Sequence, residues 1–347
     1  MEDIKVLGDR EKLVLYAIVK NFILTANPIA SNLIAKQHLL SFSSATIRTI
    51  MAELEERGYI YQPHTSSGRI PTTAGYRIFV DQMMKKSRLS NEEKEKIRLA
   101  VTISAGDYEQ IFRESSRILS QLSRQLSVLI SPQLDEGIFN RMEISRLGSE
   151  RLLLVISIKS GMIKTIIVEI DSDVSDQQLD HLKQVLNERL SGLKIKEIRT
   201  NFREIVSDLS QDKIGLMHLF IETAGRIFDF SENSDVFVTG TANFMRHPEF
   251  TDYQQLSGVV ELLENKNIVV HLLEPSESVS DLNVLIGEEI NEIKMKNCSI
   301  IAARYKIGQV QGTLAVIGPT RMDYPHIIPL VEYMAQTISG SSESNLG

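Results

Sequence analysis

The sequence predicts an α+β fold divided into several modules and headed by three short helices and a β-hairpin. Three observations predict it. The chain of 347 residues exceeds one ordinary domain, for which roughly 100 to 200 residues is usual. Near the N-terminus, apolar residues recur at helical spacing in three short segments. Directly after the third, a polar loop containing Gly68 separates two short extended pieces, the pattern of a hairpin.

The first helix spans 9–26, where Leu15, Ile18, Val19 and Phe22 share one face. Asn27-Pro28 ends it, because a residue before proline avoids the helical region. A second helix over 29–38 turns Leu33 and Ile34 inward, and 39–42 is long enough only to turn. Ser43 or Ser44 caps a third helix whose buried stripe is Ile47, Ile50, Met51 and Leu54, and Gly58 closes it. This is the helix-turn-helix outline. Residues 59–62 then read as a strand, and 63–72 as a wing with Gly68 at its tip. Thr72 or Thr73 caps a fourth helix carrying Tyr76, Phe79, Val80 and Met83, and the basic run Lys85-Lys86-Ser87-Arg88 reads as a linker.

Helical character continues to about residue 130, where Leu119, Leu122, Leu126 and Leu129 form a seam spaced 3, 4, 3, the pattern of helix packing within a domain. Strands follow at 152–158 and 163–170 around a turn holding Gly161, then a helix over 176–190 closed by Gly192. Helical runs at 213–230 and 253–264 alternate with short strands at 236–238 and 268–273. Strands at 298–305 and 312–317 precede a last helix over 325–338, and 341–347 reads as a disordered tail.

Hydrophobic residues make up 42% and charged residues 24%, with no apolar run near the roughly 20 residues that span a bilayer. A mixed, acidic N-terminus and the single Cys298 argue against a secretory leader and a disulfide framework, and so for the cytoplasm. The net charge of −7 conceals an asymmetry: residues 1–88 hold 12 Lys+Arg against 8 Asp+Glu, net +4, leaving 26 against 37, net −11, for the rest. The first module alone has a charge suited to a polyanion.

The third helix is where base reading is expected. Its apolar stripe faces inward, which leaves Ser43, Ser44, Thr46, Arg48 and Thr49 near its N-terminus to enter a major groove. His64, Thr65, Ser66, Ser67, Gly68 and Arg69 place hydroxyls, backbone N–H groups and a guanidinium on the wing, where phosphates or a minor groove can be met. Arg48 is expected to approach bases, and Arg69 and Arg77 the DNA backbone or minor groove. One recognition helix is too short to specify a genomic site, so a homodimer on an inverted repeat is expected.

The runs Ser44-Ala45-Thr46-Ile47-Arg48, 62–72 and Gly75-Tyr76-Arg77 resemble those of the HrcA family of heat-inducible bacterial transcription repressors. The resemblance continues through Gly240-Thr241-Ala242-Asn243, Pro248-Glu249-Phe250 and the 317–324 run containing Gly318-Pro319-Thr320-Arg321. Thr49 stands where that family usually has Asn, and Ser67 where it more often has Ala; Thr cannot bond adenine bidentately as Asn does. The resemblance implies a repressor of chaperone operons that binds double-stranded DNA at an inverted-repeat operator and is kept active by the GroEL chaperonin. It also implies three domains: a winged helix-turn-helix over 1–88, a GAF-like domain over 89–193 and 281–340, and a dimerising domain inserted at 194–280. Strands near 150–170 and 298–317 are then expected to pair across the insertion.

No catalytic residue, metal site or cofactor is expected. The histidines form no HExxH, Cys298 has no second cysteine, and there is neither a Walker A nor a GxGxxG motif. His218 and Glu222, four apart, read as a solvated pair. The Gly318-Pro319-Thr320-Arg321 run reads as a structural turn or interdomain contact, with a ligand loop as the alternative. Two rival functions stay open: a regulator whose GAF-like domain binds a small-molecule effector, and an enzyme with an accessory DNA-binding module.

Overall fold

The computed structural model describes residues 7–36, 42–65, 67–102, 107–148, 150–170, 174–207, 216–230, 235–250, 261, 265–273 and 281–344. It is a mixed helix and sheet structure. At the N-terminus, α1 (Asp9–Thr25), α2 (Ser31–Lys36) and α3 (Ser44–Glu56) are followed by the antiparallel pair β1 (Ile60–Tyr61) and β2 (Ile70–Pro71). Val14, Leu15 and Ile18 of α1 meet Ile34, Ile47 and Leu54 in one buried cluster. Leu33, expected inward, is 39% exposed, because a six-residue helix has a single inward face and Ile34 takes it. Residues 39–41 of the expected turn lie outside the described residues.

The start of α1 is tied to the end of α3. The Glu11 carboxylate accepts the Gly8 N–H at 2.7 Å and an Arg57 N–H at 2.7 Å. Burial pushes this carboxyl up, but the Gly8 N–H and the Arg57 guanidinium outweigh it and hold it below its ordinary value.

Beyond the hairpin, Thr72 accepts the Gly75 N–H and caps α4 (Thr73–Ile78), which runs into a π-helical turn at Phe79–Met83. There follow α5 (Asn91–Thr102), α6 (Tyr108–Ser123) and β3 (Leu126–Ile130). The leucine seam is therefore divided: α6 ends at Arg124, in a left-handed conformation at φ 56°, and Leu126 and Leu129 lie in a strand. A wholly buried strand and a buried helix both read as apolar runs, so period alone did not separate them.

The larger sheet is antiparallel, in the order β7 (Val236–Thr239), β3, β10 (Val310–Pro319), β9 (Cys298–Ile307), β8 (Leu282–Ile286). Leu314 and Val316 turn to the face covered by α5, α6 and α12 (Tyr324–Ser344); Ala315 and Ile317 turn to the other. That second face is covered by Phe244 of α10 (Thr241–Phe244), Phe250, Val269 and Leu273 of α11 (Lys266–Leu273), Ile290 and Met295. Two covered faces explain the nearly unbroken apolar runs of β9 and β10. Residues 268–273, expected as a strand, belong to this helix and lie on the sheet instead of within it. The helix expected over 253–264 falls, apart from 261, outside the described residues. The final helix continues through Ser344, so the tail expected to be disordered from 341 is helical there.

A second sheet, β4 (Phe139–Arg146), β5 (Arg151–Ile158) and β6 (Ile163–Glu169), is separate. Leu152, Leu154 and Ile156 turn to the buried side, where α7 (Asp176–Leu190), α8 (Ile195–Ile205) and α9 (Leu216–Ile227) contribute Leu182, Phe202 and Phe220. The Asn187 side chain accepts the Met142 N–H and donates to the Met142 carbonyl, at 2.7 and 2.9 Å, completing β4. Strands 151–169 thus pair with β4 and not with 298–319. The larger sheet is interrupted between β3 and β7, so the separate unit begins well before the expected 194, at β4, and β7 returns to the main sheet inside the expected 194–280. Strand periodicity marks which side is buried, not which strand is the neighbour.

Among the described residues, no helix is long and apolar enough to cross a membrane. The Glu11 ion pair yields a test. A lowered carboxyl contributes stability above its unfolded pKa and loses it as pH falls through the folded value. Glu11→Gln is expected to lower stability at pH 7 by up to about 1 kcal/mol, and denaturant unfolding should show the difference vanish well below pH 4.

Candidate nucleic-acid interface

The N-terminus of α3 is built by its serines. Ser43 has an extended backbone and its Oγ accepts the Thr46 N–H at 3.1 Å, so Ser43 and not Ser44 is the cap. Ser44 instead meets Ser31 at 3.2 Å between the side-chain oxygens, joining the starts of α2 and α3. With Ile47, Ile50, Met51 and Leu54 buried, Arg48 and Thr49 stand on the exposed face. Thr49 donates to the Ala45 carbonyl at 3.3 Å. Among the described residues Arg48 makes no ion pair. No acidic residue occupies the first turn, so the positive end of the helix is left free for an anion.

The wing is held from several sides. Its tip is His64 and Thr65, both exposed, while Ser67 folds back and donates to the His64 carbonyl at 2.6 Å. Gln62 reaches into the loop and donates to the carbonyls of Thr65 and Ser67 at 2.9 and 3.0 Å. Ser66 lies outside the described residues. Gly68, expected at the tip, is at the base: a Cβ there would lie 2.4 Å from the Ile29 backbone carbon. That close approach lets Arg69 and Ile29 exchange backbone hydrogen bonds of 2.8 and 2.9 Å, fastening the wing to the segment before α2.

Arg69 is engaged within the protein. Its Nε donates to the Glu55 carboxylate at 2.9 Å and a terminal nitrogen lies 2.8 Å from the same oxygen, which ties wing to α3. Arg77 departs further from expectation. It faces the C-terminal module, where its guanidinium donates to Glu289, to the Val284 carbonyl at 2.6 Å and to Asp81 at 3.2 Å. The structure therefore gathers Ser43, Ser44, Thr46, Arg48, Thr49, His64, Thr65 and Ser67 in one N-terminal unit and places Arg77 in the seam behind it.

Sequence reasoning missed the partners Glu55, Gln62 and Glu289. Gln62 was within reach, since it stands in the quoted 62–72 run. Glu289 was not, being 212 positions from Arg77. The same seam holds the 317–324 run: Arg321 pairs with Glu249 and lies 3.4 Å from the Ile23 carbonyl of α1. The run is thus an interdomain contact. Ser87 N–H to the Pro325 carbonyl at 2.8 Å and Lys86 to Glu332 strap the linker to α12.

Cys298 is buried, which pushes its thiol up to about 12. His218 and Glu222 form an exposed pair at 3.1 Å. No group of His, Cys, Asp and Glu able to hold a metal occurs among the described residues.

Residues 109–328 match the domain family described as HrcA protein C terminal domain. The heat-inducible transcription repressor HrcA of Chlorobium chlorochromatii (strain CaD3) is 36% identical over 98% of both chains. That of Geobacter sulfurreducens is 34% identical, over 96% of this chain and 97% of its own. A crystal structure of a hypothetical protein shares the fold, with a TM-score of 0.66 and 23% identity over 98% of this chain and 99% of that one. The protein class is therefore that of transcriptional repressors, not enzymes. The chain belongs to the HrcA family of heat-inducible transcription repressors.

The seam carries its own test. Arg77→Ala and Glu289→Ala are each expected to lower stability by about 1–2 kcal/mol, because each breaks the two-bond contact between these half-buried charges, although Arg77 keeps Asp81 when Glu289 is lost. The double variant should cost little more than either single one; additive losses in a denaturant double-mutant cycle would remove the coupling.

Proposed function

We propose that the N-terminal unit is a winged helix-turn-helix that reads an inverted-repeat operator of chaperone genes in the cytoplasm, as one half of a homodimer. The observation that carries the reading is Arg48, exposed on the N-terminal half of α3 without an ion-pair partner among the described residues. Arg can bond guanine O6 and N7 together, and the capped helix end supports nearby phosphates. His64 and Thr65 meet the DNA backbone from the wing. Arg69 acts as a positioning residue, holding the wing at a set angle to α3 through Glu55. Arg77 is left out of the DNA contacts.

The C-terminal module is read as GAF-like, with the unit of β4–β6 and α7–α9 as the dimerising insertion. Support comes from its outer sheet face, where Leu153 lies opposite Ile167 and Ile163 and Ile167 are 64% and 51% exposed. Apolar side chains clustered on an edge strand favour a second protein surface. The family resemblance supplies the remaining element, activation by the GroEL chaperonin.

Replacing Arg48 by Ala should weaken operator binding by about 1–3 kcal/mol and relax preference at one base position. Unchanged affinity in a folded variant would remove Arg48 from the interface. For the switch, operator occupancy in a purified system should rise with added chaperonin and fall when denatured client is supplied. Occupancy indifferent to both would refute chaperonin control.

A further inference from the structure

A groove of about 580 Å³ runs along the seam between the N-terminal unit and the C-terminal module, within the size range of small-ligand sites. Its walls are apolar: Leu13, Tyr16 and Leu24 of α1 face Phe79 and Met83 of the π-helical turn. Leu24 is 73% and Leu13 48% exposed at its lip, an unusual exposure for two leucines on one helix face. Two cations, Lys20 and Lys85, border it, and among the described residues neither is paired with a carboxylate. Lys20 instead lies 5.9 Å from the Tyr16 ring centre. One acid, Asp323, also borders it, with Pro325. An apolar trough bordered by two cations and one acid complements an anion that carries a hydrocarbon tail. Methionine lends such a wall the adaptability to receive tails of different length.

We propose that this groove binds an amphipathic carboxylate of the fatty-acid class, its tail between α1 and the π-helical turn and its head group at Lys20 and Lys85. The π-helical turn itself supplies the width: the Met84 N–H reaches five residues back to the Phe79 carbonyl at 2.9 Å, which bulges the backbone at the groove wall. Because residues of both modules line the groove, an occupant is linked to the way the modules dock. The site is independent of the operator reading, and its test needs no DNA.

Calorimetric titration of the full chain with hexanoate, octanoate and decanoate, below their micelle concentrations, should show affinity rising about fourfold per added methylene. Decyltrimethylammonium should bind at least tenfold more weakly than decanoate. The Lys20→Glu/Lys85→Glu variant, changed only at exposed positions, should reverse that preference, and Lys20→Met/Lys85→Met should abolish it. Affinity independent of chain length would overturn the proposal, as would a charge-reversed variant that keeps wild-type binding. Cosedimentation with phosphatidylglycerol vesicles separates the sources of the ligand. Vesicle binding without decanoate binding would replace the single-molecule site by a bilayer surface, whereas decanoate binding alone supports it.

Discussion

Arg77 sits where the two halves of the protein meet, and its guanidinium bonds a carboxylate and a backbone carbonyl across the seam at once. That contact holds α4 against the C-terminal module. Around it, Gly287 approaches Thr73 so closely that a Cβ would lie 2.6 Å from the Thr73 hydroxyl, and the Tyr76 ring stands 6.0 Å from that of Tyr324. Glu249 and Arg321 extend the same arrangement towards α1. Partly buried ion pairs of this kind contribute little net stability, since desolvation offsets their attraction. Their effect is geometric: they select one docking of the modules over others.

A second level of constraint lies within the N-terminal unit. The wing is a two-residue ladder, too short to be stable alone. It is ordered by contacts from outside itself: the Ile29 backbone at Gly68, the Glu55 carboxylate at Arg69, and the Gln62 amide inside the loop. Thr72 then reaches the Gly58 carbonyl at 2.6 Å while capping α4, joining the end of α3 to the start of the helix that carries Arg77. A chain of short contacts therefore runs from the exposed face of α3 to the C-terminal module.

Much of this was legible in the sequence where the cause is local. The stripe Ile47, Ile50, Met51 and Leu54 and the serine cap define α3, and the capping Thr72 marks α4, because caps and periodicity act within a few residues. What was illegible is non-local. Leu126 and Leu129 continue a helical spacing, and only burial between β7 and β10 makes them a strand. The strands β5 and β6 are read from sequence as a hairpin, but nothing in their alternation says that they pair with β4 and stand apart from β9 and β10. The roles of Arg69 and Arg77 could not be separated in sequence, since both are arginines beside a wing. Their fates were decided by Glu55 and by Glu289, and neither pairing leaves a periodic trace.

The account depends most on α3 and the wing forming a surface that reads bases and not merely charge. Fluorescence anisotropy of the full chain, with chaperonin present, against a family inverted-repeat operator and a scrambled duplex at matched salt tests this directly. The account predicts tight binding to the operator and at least about a thousandfold weaker binding to the scrambled duplex. Equal and equally salt-sensitive binding to both would leave only electrostatic attraction, and the assignment of base reading to α3 would be contradicted.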